Sequence, residues 1–199
     1  MSEDQHRQHE TAEGADGDAS RHPDSATENP FEILGLPMVF DLSRADLQRA
    51  YLTRAARHHP DRYSDPEQRH AAEVMSARLN RAQRTLIDEE RRADALVVAL
   101  GGPRSDVYRD LPDGFLMDIF EVRQELEEAI EDDDSETKSR LAAWAAEERA
   151  RYIREISRLF ASATSDKTDK QQREASLREV REQLNAWRYI ERMMEQIDN

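Results

Sequence analysis

The sequence predicts an all-α protein in which a helical hairpin, accompanied by two short helices, is followed by a C-terminal three-helix bundle. Only six glycines and seven prolines interrupt the 199 residues, and residues that favour helix, such as Ala, Arg, Glu, Leu and Gln, are abundant. No stretch shows the sustained alternation of β-branched residues that is typical of a strand. With 37% hydrophobic and 36% charged residues, the chain can build one or two small helical domains but no extensive core.

Residues 1–28 are predicted to form a disordered acidic tail. They contain almost no large apolar side chain, so they cannot bury enough surface to offset the entropy that a chain loses on folding. Order is expected from Asn29, which can cap a helix that has Pro30 in its first turn. This short helix should close at Gly35.

Two longer helices should flank Pro60. Ser43 and Asp46 have the spacing of a capping box, and the helix that they start must stop before Pro60, whose ring cannot continue it. Asp65 followed by Pro66 caps the next helix. The two helices should pack antiparallel through apolar positions on one face of each, which are Leu47, Tyr51 and Ala55 on the first and Val74, Leu79, Ala82 and Leu86 on the second.

A fourth, short helix is predicted over residues 91–100, because Gly101-Gly102-Pro103 is a strong helix terminator. We therefore expect an N-terminal domain at residues 29–100, a linker at 101–113 and a bundle at 114–199. The helices of the bundle should lie at about 115–131, 135–163 and 169–197. The seam of the last helix should consist of Leu177, Val180, Leu184 and Trp187.

The charge and the composition exclude several classes of function. A net charge of -14 argues against general affinity for nucleic acid or for an anionic membrane. The absence of cysteine excludes disulfides and thiolate ligation of zinc or iron-sulfur clusters. No apolar run approaches the roughly 20 residues that cross a bilayer, and the acidic N-terminus is unlike a targeting signal, so we expect a cytoplasmic protein. Between Arg44 and Arg62, five arginines against two aspartates form a local basic patch suited to an acidic protein surface.

The tripeptide His59-Pro60-Asp61 presents an imidazole and a carboxylate side by side at the turn between the two longer helices. It can be a docking corner, a metal or acid-base pair, or an ordinary helix-stop turn. His58, His59 and Asp61 are possible ligands, but adjacent residues rarely converge on one ion. No phosphate-binding loop or nucleophile motif is present. We therefore expect no enzymatic activity, no cofactor and no metal site, with a His/carboxylate metalloenzyme as the remote alternative.

The helix at 115–131 carries more apolar residues than its core face needs. Five positions lie within about 80° of one another and suffice for packing: Phe115, Ile119, Val122, Leu126 and Ile130. Leu116, Met117 and Phe120 lie beyond this stripe, beside Glu121, Gln124 and Glu128. This second group is either a surface for a protein partner, which Tyr189 could extend, or it packs against the N-terminal domain or widens the bundle core.

Three segments together resemble the J-domain of DnaJ-type co-chaperones: Leu47–Tyr51, Arg57–Arg62 and Leu79–Leu86. In that family, a four-helix domain contacts an Hsp70 chaperone through its basic second helix and its His-Pro-Asp loop, and speeds the hydrolysis of ATP bound to the Hsp70. The resemblance implies that His59, Pro60 and Asp61 signal to an Hsp70 of the HscA or DnaK type. It also implies that Arg49, Arg57 and Arg62 support this contact.

Two further segments, Asn29–Pro37 and Gly114–Glu128, resemble the HscB subgroup, whose members are J-proteins dedicated to iron-sulfur cluster assembly. In this subgroup the C-terminal bundle holds the scaffold protein IscU and presents it to an Hsp70. The resemblance implies that the client-binding residues are Leu116, Met117, Phe120, Glu121, Gln124, Glu128 and Tyr189. A J-domain protein with a different client is the alternative.

Overall fold

The computed structural model describes residues 28–197, which form seven α-helices and no β-strand. This confirms the all-α prediction. Residues 1–27 of the predicted acidic tail lie outside the described range. The helices are α1 (Pro30–Leu34), α2 (Arg44–Arg57), α3 (Pro66–Ile87), α4 (Glu89–Ala99), α5 (Phe115–Glu131), α6 (Ser135–Ala163) and α7 (Lys170–Met194), with short 3-10 turns at Pro60–Arg62 and Glu195–Ile197.

The helix starts follow from side chains that cap them. Asn29, Ser43 and Asp65 accept backbone N–H groups at the starts of α1, α2 and α3, as the sequence predicts. The remaining capped helices start in the same way, at Asp88, Asp134 and Asp169. Helix α5 differs, because it begins at Gly114, which has a φ of 81° and provides no side-chain cap.

Helices α2 and α3 pack antiparallel, and α1 lies against both. Leu47, Leu79 and Leu86 are almost completely buried between them. The prediction that Val74 is buried is wrong, since 47% of its surface is exposed. The buried stripe of α3 runs through Ala72, Leu79, Ala82 and Leu86, and Val74 lies roughly 120° away from this stripe around the helix axis.

Helices α5 to α7 form a three-helix arrangement in which α6, the longest helix, packs against the other two. The predicted seam of α7 is confirmed: Leu177, Val180, Leu184 and Trp187 are each at most 2% exposed. On α5, Phe115, Ile119 and Leu126 are buried, whereas Val122 and Ile130 are half-buried.

Helix α4 joins the N-terminal helices to the bundle by packing on α7. Arg181 of α7 is completely buried at this junction, where its guanidinium binds the carboxylate of Asp94 and its Nε donates to the carbonyl of Pro103 at 2.9 Å. Two turns further along α7, Arg188 binds Glu90 and also approaches Asp94 at 3.3 Å. Burial lowers the pKa of Arg188, but its hydrogen bond to Glu90 and the charge of Asp94 raise it overall.

A second contact joins the α1–α2 loop to α6. The rings of Phe40 and Phe160 lie 5.6 Å apart, and the hydroxyl of Ser157 donates to Asp41 at 2.6 Å. The guanidinium of Arg92 also lies over the Phe40 ring, 5.2 Å from its centroid. The N-terminal helices therefore contact the bundle through both α6 and α7.

The segment between α4 and α5 lies on the surface of α7. The Tyr108 hydroxyl donates to Glu182 at 2.7 Å, and the Asn185 amide donates to the carbonyls of Tyr108 and Asp110 at 3.2 and 3.0 Å. The hydrogen bond to Glu182 is the main cause that raises the pKa of Tyr108 to about 12. The segment that the sequence analysis assigns as a linker is therefore tied to the bundle along its length.

Replacing Arg181 with Met tests the junction between α4 and α7. Met fills nearly the same volume but leaves the Pro103 carbonyl without its donor, so we expect the free energy of unfolding to fall by about 2–4 kcal/mol. Denaturant unfolding measures this change. Arg178→Met, at an exposed position of the same helix, is the matched control and should change the free energy by less than about 0.5 kcal/mol. Equal effects of the two substitutions would contradict the assigned role of Arg181.

Replacing Tyr108 with Phe tests how the α4–α5 segment is held. The folded-state pKa of about 12 exceeds the ordinary value of 10.0, so the contribution of Tyr108 to stability is complete below pH 10 and lost as the pH rises from 10 to 12. Unfolding free energies measured across this range should fall more steeply for the parent than for Tyr108→Phe. Parallel profiles would show that Tyr108 does not donate to Glu182.

Candidate partner-binding surfaces

The corner between α2 and α3 is a short 3-10 turn that His59 caps. The Nδ1 atom of His59 accepts the backbone N–H of Asp61 at 3.3 Å, and the His59 carbonyl accepts the N–H of Arg62 at 3.1 Å. Pro60 occupies the first position of the turn, where its missing N–H is not needed. The side chains of His59 and Asp61 remain 59% and 89% exposed, so the corner presents both groups to solvent.

The last carbonyls of α2 are bound by side chains from beyond the corner. Ser76 of α3 donates to the carbonyl of His58 at 3.2 Å, Arg62 donates to that of Ala56 at 3.2 Å, and Tyr63 donates to that of Arg57 at 3.4 Å. Carbonyls at a helix end otherwise lack an intrahelical partner. These bonds hold the backbone of the corner against both helices and leave the imidazole of His59 uncommitted on its Nε2 side.

Polar pairs further along the hairpin fix its register. The Tyr51 hydroxyl donates to Asn80 at 2.7 Å, and Gln83 donates to Gln48 at 3.0 Å. The partner on α3 moves forward in sequence as the residue on α2 moves back, which is the pattern of antiparallel helices. The corner therefore projects from a hairpin whose two helices are joined by hydrogen bonds along their length.

The three predicted supporting cations are exposed and lie on or beside this hairpin. Arg57 is the last residue of α2, Arg62 ends the 3-10 turn, and Arg49 lies two turns before Arg57. Arg49 already forms an exposed ion pair with Asp46 at 3.2 Å, a kind of contact that contributes little to stability. Arg54 is different, because its guanidinium lies where a Cβ on Gly35 would be, and Gly35 adopts a φ of 61°. Arg54 therefore belongs to the packing between α1 and α2.

Metal ligation at the corner has no support in the geometry. Within residues 28–197, no group of three or more His, Asp or Glu side chains is arranged to hold a metal ion. His59 Nδ1 and Asp61 Oδ2 lie 3.7 Å apart and form a pair without a third ligand.

The second surface lies on α5. Leu116, Met117 and Phe120 are 61%, 83% and 58% exposed, so neither the N-terminal helices nor the bundle covers them. Among residues 28–197, the three side chains therefore pack neither in the bundle core nor against the N-terminal helices. A single helix that presents three large apolar side chains to solvent is typical of a protein-binding surface. We call Leu116, Met117 and Phe120 the α5 patch.

The predicted neighbours of the α5 patch differ in exposure. Glu121, Gln124 and Glu128 are exposed on α5. Tyr189 of α7 is half-buried, with its ring edge-on to Phe115 at a centroid distance of 5.5 Å and an interplanar angle of 87°. The structure therefore brings Tyr189 to the first turn of α5, where it supports the patch from the side of the bundle.

Several residues that shape these surfaces were missed by sequence reasoning. Ser76 and Tyr63 bind the end of α2, as the predicted cation Arg62 also does, but nothing in the pattern of α3 distinguishes Ser76 from a solvent-facing serine. Arg123 also went unnoticed, and its pKa is raised mainly by a hydrogen bond with Glu127 and further by one with Tyr189. Arginines of the α4–α5 segment and of α7 also form a basic cleft next to Tyr189. The α4–α5 segment has no helical periodicity from which this cleft could be predicted.

None of the helices in residues 28–197 is long and apolar enough to cross a membrane.

Comparison with models of protein families finds two matches along the chain. Residues 29–94 match the family model described as the DnaJ domain, and residues 111–198 match the model described as the HSCB C-terminal oligomerisation domain. The first match contains the corner, and the second contains the α5 patch.

Relatives of known name carry the same assignment. A co-chaperone protein HscB homolog from Ralstonia nicotianae is 35% identical over 133 residues, which cover 64% of this chain and 75% of that protein. A homolog of the same name from Bordetella petrii is 36% identical over 110 residues, which cover 54% of this chain and 65% of that protein, slightly under two thirds of its length.

Two solved structures share the fold. The chaperone HscB from Vibrio cholerae superposes with a TM-score of 0.60 at 23% identity, covering 86% of this chain and 96% of that one. Human co-chaperone protein HscB gives a TM-score of 0.69 at 21% identity, covering 87% of this chain and 82% of that one. With the J-domain match, the C-terminal match and the Ralstonia relative in agreement, the chain belongs to the HscB family of J-domain co-chaperones.

Proposed function

We propose that this chain stimulates ATP hydrolysis by an Hsp70 chaperone through His59, Pro60 and Asp61, and delivers to it an IscU-like iron-sulfur scaffold bound to the bundle. The observation that carries the proposal is that one rigid chain exposes both the His-Pro-Asp corner and the α5 patch. The Hsp70 has an HscA-like or DnaK-like character, and the activity takes place in the cytoplasm, where ATP is available.

The domain boundaries that we propose are those of the sequence analysis. Residues 29–100 act as the J-domain, residues 114–199 bind the client, and residues 101–113 connect them. The pairing of Arg181 with Asp94 joins the two ends, so the client is held at a fixed place relative to the corner. A tethered client has a high effective concentration at the Hsp70, which is the physical basis of delivery.

The corner acts by docking and has no turnover of its own. His59 and Asp61 offer one exposed imidazole and one exposed carboxylate on a fixed backbone, and Arg49, Arg57 and Arg62 add positive charge beside them. Such a surface binds an acidic patch on the chaperone without first having to be ordered. Binding that favours the hydrolytic arrangement of the Hsp70 shifts its equilibrium toward that state.

The α5 patch is the proposed client site. Leu116, Met117 and Phe120 supply apolar area, and Met117 can adapt its shape to a partner. Glu121, Gln124 and Glu128 form a polar rim, and Tyr189 contributes from α7. A second copy of this chain is the competing occupant, because the model that matches residues 111–198 is described as an oligomerisation domain.

The two activities should separate by mutation. Asp61→Asn removes the charge of the corner and should reduce stimulation of Hsp70 ATP turnover at least tenfold while scaffold binding stays unchanged. Leu116→Ala combined with Phe120→Ala should weaken scaffold binding by about 2–4 kcal/mol and leave basal stimulation intact. Steady-state ATP turnover and titration calorimetry measure the two effects.

Controls for this experiment carry the same chemical changes elsewhere. Asp166→Asn, in the α6–α7 loop, and Val74→Ala, an exposed apolar position of α3, should behave like the parent. Scaffold binding that is unaffected by the double substitution would remove the client assignment. Sedimentation of the parent shows whether the patch instead pairs two copies of the chain.

Two substitutions of His59 separate its docking role from its structural one. Asn at this position can still accept the N–H of Asp61, whereas Ala cannot. We expect His59→Asn to keep the stability of the parent but to lose ATPase stimulation as fully as His59→Ala. Thermal unfolding and ATP turnover, measured on both variants, check this. Full stimulation by His59→Asn would mean that the imidazole serves only the turn.

A further inference from the structure

A cleft of about 730 Å³ opens beside the α5 patch, between the α4–α5 segment, α5 and the end of α7. Tyr189, which supports the patch, also lines this cleft. Four arginines and one aspartate contribute to its wall, namely Arg109, Arg123, Arg188, Arg192 and Asp106. The wall is therefore strongly basic in a chain whose net charge is -14.

Two of the four arginines are already neutralised. Arg188 binds Glu90 and Asp94 of α4, and Arg123 binds Glu127 at 2.9 Å. The carboxylate of Asp106 is bound in turn by Arg104 at 3.1 Å, outside the four. Within residues 28–197, Arg109 and Arg192 form no ion pair within 4.0 Å, and both are exposed at the cleft, where the charge of Arg109 acts on Asp106 from a longer distance.

The positions of these two arginines are built into the fold. The Asn185 amide binds the carbonyls of Tyr108 and Asp110, the residues on either side of Arg109. The Tyr108 hydroxyl also donates a hydrogen bond to Glu182. Arg192 lies in the last turn of α7, one turn beyond Tyr189. Because the backbone at both arginines is fixed, little ordering is required before they bind an anionic group.

The cleft lies on one side of the α5 patch, and carboxylates lie on the other. At 100° per residue, Arg123 is about 160° from Glu121 around the axis of α5, and Phe120 lies between them. Glu128 falls near Glu121. Since Glu127 neutralises Arg123, the positive charge on the α7 side of the patch comes from Arg109 and Arg192, and the negative charge on the other side comes from Glu121 and Glu128.

We infer that the cleft receives an acidic segment of the same protein partner that covers the α5 patch. A carboxylate of the partner binds Arg109 and Arg192, whose guanidinium groups match carboxylate geometry and are less strongly hydrated than an ammonium. Basic groups of the partner face Glu121 and Glu128. Opposite charges on the two flanks make the reversed docking orientation unfavourable and steer the encounter. This inference rests on the proposed function of the patch.

The test replaces Arg109 and Arg192 together with Gln in the full-length chain and measures binding of an IscU-like scaffold at 50 and 300 mM salt. We expect about five- to tenfold weaker binding at low salt, mainly through slower association, and a flatter salt dependence. Replacing both arginines with Lys should recover most of the affinity. Arg178→Gln removes one positive charge at an exposed position of α7, half the change of the double variant, and should leave binding unaltered.

Each outcome distinguishes the inference from the proposed function. If the double Gln variant binds like the parent while Leu116→Ala with Phe120→Ala is impaired, the inference is overturned and the client site stands. If neither variant is impaired, the client site itself fails. Inorganic phosphate is the probe for a generic anion site. Phosphate binding that requires both arginines, together with scaffold binding that does not, would also overturn the inference.

Discussion

The rest of the structure depends on one buried cation. Arg181 lies between α4 and α7 with no exposed surface, and it binds Asp94 and the carbonyl of Pro103 at the point where the N-terminal helices meet the bundle. Its Nη2 atom has no hydrogen-bond acceptor among the described residues, so the cost of its burial is not fully offset. A buried arginine of this kind specifies how α4 and α7 are oriented more than it adds to the free energy of unfolding.

The packing around Arg181 also determines how the corner at His59–Asp61 is placed relative to the α5 patch. Gly102 lies at the junction, where a Cβ would come within 2.7 Å of Val97 and 3.0 Å of Leu177, so the chain can leave α4 and still pass closely over α7. Phe40 of the α1–α2 loop and Phe160 of α6 form a second contact between the N-terminal helices and the bundle. With two separated contacts, rotation of one half of the molecule against the other breaks at least one of them. The corner and the α5 patch therefore keep a fixed relation.

The sequence predicts the elements well where local chemistry determines them. Asn29, Ser43 and Asp65 cap helices at the expected residues, and the bounds of α5 and α6 agree with the prediction. Interactions between distant residues escape such reasoning. Arg181 resembles any solvated arginine of a helix, and its partner Asp94 lies 87 positions earlier. The error at Val74 has a different cause, because the helical periodicity of α3 already places Val74 off the stripe through Leu79, Ala82 and Leu86.

Helix α5 starts without a side-chain cap, and this raises the mobility of its first turn. Asn, Ser or Asp side chains cap the other six helices, but Gly114 leaves the first turn of α5 without one. Local opening of an uncapped turn costs less, so amide hydrogen exchange should be fastest among the bundle helices at this end. Leu116 and Met117 lie in that turn. The uncapped turn therefore lets the exposed side chains of Leu116 and Met117 shift more readily than side chains in the capped first turns of α6 and α7.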